Sequence, residues 1–174
     1  MPSITAITYV FITQLSLSPT IQGLAHTLYL KYTRALAVTE EVPMQRVLLP
    51  EGWPRPKGYS NGISADAGEL IFCGGQIGWS PDGIFEHADF IGQFRQTLVN
   101  VIDVLAAAGA GPEHIVRMTW FVIDRDDYVS QLRAIGGVYR EVMGKHYPAM
   151  SVVFVSGLVE AEAKVEIEVT AVKS

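Results

Sequence analysis

Apolar and polar positions along this chain fall into two regimes, irregular before Gly68 and periodic after it. Glu69 to Gln76 is a short apolar run ending in Gly74-Gly75, which predicts a strand whose end lets another backbone or a ligand approach closely. Ser80-Pro81-Asp82-Gly83 places proline and glycine where a turn needs them. Asp89 is a candidate helix cap. Behind it Phe90, Phe94, Leu98, Val101, Leu105 and Ala108 recur at spacings of three and four, and Gly109 closes the helix. His114 to Ile123 reads as a second strand. Asp126-Asp127 then opens a second helix with Tyr128, Leu132, Ile135, Tyr139 and Val142 on one side, stopped by Gly144.

Two further strands are predicted, Val152 to Val159 and Lys164 to Val172, joined as a hairpin through Glu160-Ala161-Glu162-Ala163. In the last, Val165, Ile167, Val169 and Ala171 share one face, and Lys164, Glu166, Glu168 and Thr170 share the other. The order strand, helix, strand, helix, strand, strand is α+β, with two helices covering one side of a mixed sheet. Neither face of the Val152 strand looks solvated, so something besides the helices must cover the second side. A self-association interface meets that need, and a homo-oligomer is expected.

Composition narrows the function classes. The chain has 174 residues, of which 49% are hydrophobic, enough for one substantial core and one domain. Eighteen acidic against thirteen basic residues leave a net charge of -5, which argues against extended contact with nucleic acid. With Cys73 as its one cysteine the chain forms no internal disulfide, and a reducing, cytoplasmic setting is expected. The four histidines show no metal-ligand spacing, so no metal is expected, and no phosphate-binding loop or other cofactor motif is present. Cys73 has no neighbouring base or cation in sequence and reads as an inert thiol.

The first 39 residues contain no Asp or Glu and only Lys31 and Arg34 as cations. Their best apolar run, Ala6 to Ile12, is too short to cross a membrane, and no early basic residue marks a secretory signal. Residues 1–43 are read as an appended, poorly ordered or loosely packed extension, and residues 44–174 as the domain.

Several pieces of that domain resemble the RidA/YjgF imine and enamine deaminase family, some of whose members are described as endoribonucleases. They are Lys57-Gly58-Tyr59-Ser60, Cys73-Gly74-Gly75-Gln76-Ile77, Gln93 to Asn100 before Ala108-Gly109, Val116 to Asp124, and His146-Tyr147-Pro148-Ala149-Met150-Ser151 followed by Val165-Glu166-Ile167-Glu168. The resemblance covers about Pro54 to Val172. It implies a chorismate mutase-like α+β domain that forms a homotrimer with small-molecule clefts between neighbouring subunits.

The resemblance also assigns roles. Glu166 matches the catalytic glutamate, with Glu168 as its less favoured substitute; a carboxylate beside a cleft orients and deprotonates water. Tyr59 matches a tyrosine lining the cleft, and Gly75 a backbone position that closely approaches the substrate. Gly74 stands where the family often has Ser, Gly136 where it can carry Asn, and Ser151 follows the Pro-Ala-X signature as a further substrate-binding position.

The sharpest departure is Met150, which stands where the family usually has the arginine that pairs with the substrate carboxylate. A thioether offers no strong donor, and a desolvated carboxylate left unpaired there costs on the order of 2 to 5 kcal/mol, roughly a thirtyfold to several-thousandfold loss of affinity. Arg55, Lys57, Arg117 and Lys145 are the cations within reach of restoring the charge. The expected function is hydrolysis of a small imine, enamine or related carbon-nitrogen compound other than the usual iminoacid. The alternative is a non-catalytic trimer that binds a small metabolite.

Overall fold

A computed structural model describes residues 45–173, so the readings made for residues 1–43 lie outside the described residues. A two-stranded antiparallel sheet comes first, β1 (Gln45–Leu48) against β2 (Gly62–Ala65), with Gln45 opposite Ala65. Weak hydrophobic alternation before Gly68 left this pair unread in the sequence.

The main sheet has four strands in the order β3-β6-β4-β5, formed by β3 (Glu69–Ile77), β4 (Ile115–Val122), β5 (Ala149–Phe154) and β6 (Val165–Lys173). β6 runs antiparallel to both β3 and β4, whereas β4 and β5 are parallel. The expected hairpin between the last two strands is therefore wrong. β5 is an edge strand, and the chain crosses the end of β4 before β6 enters on the far side. Two backbone bonds hold the crossing: Val155 N–H donates to Val122 O (3.0 Å) and Ile123 N–H to Lys164 O (3.2 Å). The predicted strand Val152 to Val159 consequently ends at Phe154, and Val159 projects from a loop, 96% exposed. Local alternation does not distinguish pairing with the next strand from pairing with an earlier one.

The helices cover one face of this sheet. α1 (Phe90–Ala107) is capped by the Asp89 carboxylate, which accepts from Gly92 N–H at 2.9 Å, and it buries Phe90, Phe94, Leu98, Val101 and Leu105, as its periodicity predicts. Gly109 follows with φ 64°, a left-handed conformation suited to glycine. A short 3-10 turn, Pro112–His114, takes the first residue of the predicted second strand.

The second helix is interrupted. Asp124 caps α2 (Arg125–Ser130) by accepting from the amides of Asp126 and Asp127, and α3 (Leu132–Met143) starts after Gln131, whose φ of -112° breaks the helix. The side chain of Gln131 turns back to Asp127, supplying the local bonds that the broken turn loses. The buried set on α3 is Ile135, Val138, Tyr139 and Met143, while Leu132 of the expected stripe is 53% exposed. Gly144 ends α3 with φ 66°. Between helices and sheet lie Phe94, Leu98, Met118, Trp120, Val165, Ile167 and Val169.

Candidate functional site

Strand alternation distributes the predicted site residues over both faces of the sheet. On β5, Met150 and Val152 turn toward the helices, in register with Met118 and Trp120 of β4. On β6, Val165, Ile167 and Val169 fill the core, so Glu166 and Glu168 occupy the opposite, helix-free face. Within one chain Met150 and Glu166 are therefore separated by the sheet.

On the helix side a cavity of about 620 Å³ lies between α3 and the β5 edge. Tyr59, Trp120, Tyr128, Tyr139, Tyr147, Leu132, Ile135, Gly136, Met150 and Val152 line it, with Lys57 and Arg140. The segment before β2 reaches this place because Ser60 docks on β5: its amide donates to Pro148 O (3.0 Å), and its buried hydroxyl donates to Tyr147 O (2.6 Å). Ser60 thereby positions Tyr59 against the wall that holds Met150. The next wall is stiff. Tyr139 stacks on Tyr147 at 5.5 Å between centroids, and its hydroxyl donates to His146 O at 2.8 Å. Burial, reinforced by Tyr147, pushes the Tyr139 phenol well above its ordinary range.

On the other face, β3 carries a bulge. Three steps along β3, Cys73 to Gln76, match two along β6, Val169 to Ile167, so one residue of the Gly74-Gly75 pair is extra. Glu166 folds its carboxylate over Gly75, where a Cβ would lie 1.7 Å from Oε1. That contact requires glycine. A Cβ at Gly74 would meet nothing within 4 Å, so a small side chain such as serine would fit there. Gly74 opens onto a shallow cavity of about 320 Å³ shared with Phe72, Arg117, Thr119 and Glu168. Ser151 is exposed and pairs with Thr119 on this face.

Two clusters thus form, Tyr59 with Met150 and Gly75 with Glu166, and Ser151 and Gly74 belong to the second face. Of the cations within reach by sequence, only Lys57 lines the Met150 cavity; Arg117 opens on the opposite face, and Arg55 and Lys145 line a separate cavity of about 240 Å³. Trp120 and Arg140 were not singled out in sequence, and Tyr128 was read there only as part of a helix stripe. Arg140 had a readable signal, four residues after Gly136 on α3 and therefore on the same helical face. Cys73 is buried, which raises its thiol pKa, in keeping with an inert thiol. Among the described residues no group of three His, Cys, Asp or Glu side chains is arranged to hold a metal, and no helix is long and apolar enough to cross a membrane.

The fold and its two clusters define an α+β domain of the chorismate mutase-like kind, helices on one face and a glycine bulge under a glutamate on the other. The family model described as endoribonuclease L-PSP matches residues 54–173, and the chain belongs to this family, the RidA/YjgF family. It is 34% identical to a RutC family protein of Pyrococcus horikoshii over 132 residues, 75% of this chain and 99% of the relative. It is also 34% identical to the 2-iminobutanoate/2-iminopropanoate deaminase of Escherichia coli K12 over 134 residues, 75% of this chain and 99% of the enzyme. Among solved structures, the Rid-family protein YyfB of Yersinia pestis, itself of unknown function, superposes with a TM-score of 0.67 at 30% identity, covering 75% of this chain and 99% of that one.

Proposed function

We propose that this protein hydrolyses a small imine or enamine in a cleft formed between copies of the chain, and that Met150 has moved its preference away from carboxylate-bearing iminoacids. The observation that carries the reading is the Glu166 carboxylate lying directly over the Gly75 backbone with no side chain between them. A carboxylate so placed accepts a proton from water while the water oxygen bonds to the imine carbon, and the proton passes to nitrogen. The hydroxyl proton of the resulting carbinolamine then passes to nitrogen through the same carboxylate as the carbon-nitrogen bond breaks, ammonia leaves, and a carbonyl compound remains: one imine and one water give one carbonyl compound and one ammonia. An enamine enters the same path after tautomerising to its imine.

The separation of the half-sites supports a composite cleft. The Tyr59–Met150 cavity of one copy is completed by the Gly75–Glu166 face of another, which also covers Leu70 and Phe72, 55% and 72% exposed on the helix-free side. A homotrimer is the assembly the family resemblance implies. Relatives carry deaminase names, among them the 2-iminobutanoate/2-iminopropanoate deaminase of Escherichia coli, which supports the chemistry at the level of the family. The -5 net charge argues against nucleic acid as the substrate, and a cytoplasmic, cofactor-free protein is part of the same proposal.

The test follows the decay of an imine generated in situ from an amino acid. Met150→Arg should accelerate it at least tenfold over the natural protein, and adding Glu166→Gln should abolish the gain. Fast decay with the natural protein would show that Lys57 or Arg140 already supplies the missing charge. No acceleration by either protein, on this or a neutral imine, would favour the alternative of a metabolite-binding trimer in which Met150 and Tyr59 only line the cleft.

A further inference from the structure

The Tyr59–Met150 cavity carries a charge opposite in sign to that of the chain. Eighteen acidic against thirteen basic residues make the protein anionic, yet among the described residues this cavity of about 620 Å³ is lined by two cations, Lys57 and Arg140, and by no Asp or Glu. The four ion pairs among the described residues involve neither cation, and Glu141, next to Arg140 in the chain, is engaged by Arg95. A concave surface lined by one sign of charge concentrates its field on whatever enters. The phenols of Tyr59, Tyr128 and Tyr147 line the same space and add neutral donors.

The cations and the methionine lie at different depths. Lys57 and Arg140 are exposed, whereas Met150 is half-buried on β5 and packs against the core. An anion paired with the cations therefore stays at the mouth, where it keeps much of its hydration, while the wall around Met150 takes an apolar stretch. In the proposed assembly Glu166 of a neighbouring copy serves the reacting carbon. A carboxylate on that carbon would meet Glu166 with no cation at position 150 to offset the repulsion. We infer that the substrate is an imine or enamine carrying an anionic group, carboxylate or phosphate, several bonds from the reacting carbon, and that Lys57 and Arg140 select it by pairing with that group. This deepens the proposed function, on which it rests for the identity of the site and for the reaction.

The probes are five-carbon ketones, the products such imines release, titrated into the full-length protein by calorimetry at low salt. Levulinate carries its carboxylate remote from the carbonyl, 2-oxopentanoate carries it beside the carbonyl, and methyl propyl ketone carries none. In 4-oxopentyl phosphate a phosphate replaces the remote carboxylate. At least one of the two remote anions should bind about tenfold more tightly than methyl propyl ketone and 2-oxopentanoate, and the tighter of the two identifies the anionic group. Lys57→Gln and Arg140→Gln should each weaken that ligand about two- to fivefold and the double variant about tenfold, with methyl propyl ketone unchanged throughout. Both side chains are exposed, so the variants should fold as the natural protein does. Raising the salt from about 0.05 to about 0.5 M should remove most of the preference.

Methyl propyl ketone or 2-oxopentanoate binding as tightly as both remote anions, or full affinity for them in the double variant, would each overturn the inference. Hydrolysis is measured separately on the imine of levulinate, generated in situ from the N-chloro derivative of the matching amine. The expected binding pattern without faster decay of that imine would uphold the inference and defeat the hydrolytic reading. Decay accelerated equally by the natural protein and the double variant would do the reverse.

Discussion

Gly75 and Gly78 both lack a side chain for reasons of space, and the two would fail differently on substitution. At Gly75 the intruding atom would be the end of the Glu166 side chain, which can swing away. Gly75→Ala should therefore lower imine turnover at least tenfold while moving the melting temperature by only a few degrees, and calorimetry beside the kinetic assay separates the two effects. At Gly78 a Cβ would lie 2.6 Å from Gln93 Cβ and 2.7 Å from its Cα, part of a helix that cannot yield. Gly78→Ala should destabilise the fold by about 1 to 3 kcal/mol in urea unfolding. Sequence marked Gly74 and Gly75 through the family motif, but which of them meets the carboxylate depended on the bulge, because one extra residue reverses which positions face the same way.

At the scale of elements, Gln93 joins parts that are distant in the chain. Its Nε2 donates to His87 O and Glu162 O, each at 3.0 Å, and its Oε1 accepts from Lys164 N–H at 2.8 Å. The side chain thus fastens the start of α1 to the loop that carries the chain from β5 to β6. Gln93→Leu should cost about 3 kcal/mol, since it strands buried backbone groups, and amide exchange should accelerate first in residues 155–164. The phenols of α2 and α3 add a pH dependence. Tyr139 and, more weakly, Tyr128 are raised by burial, so the folded chain holds both protons where the unfolded chain loses them. Stability should be intact below the ordinary tyrosine value of 10.0 and fall as pH rises above it. Urea midpoints measured from pH 8 to 11 should show a shallower decline in Tyr139→Phe.

For the whole molecule, the proposed assembly makes the helix-free face a condition for a working site. Phe72→Glu places a charge in the proposed interface, and sedimentation should show it shifting toward monomer, with imine turnover lost although Glu166 and Gly75 are untouched. A dispersed variant with full turnover would place the complete site within one chain. The helical stripe of Phe90 to Leu105, the alternation of Val165 to Ala171 and the Asp89 and Gly109 boundaries were readable in sequence because each is set by neighbours within a few residues. Family motifs likewise marked Tyr59, Glu166 and the methionine at 150. The insertion of β6 between β3 and β4, the turning of Met150 and Glu166 to opposite faces, and the gathering of Trp120, Tyr128 and Arg140 around one cavity belong to the tertiary structure alone. These depend on which strands pair across the chain, and sequence periodicity records the face of an element without recording its partner.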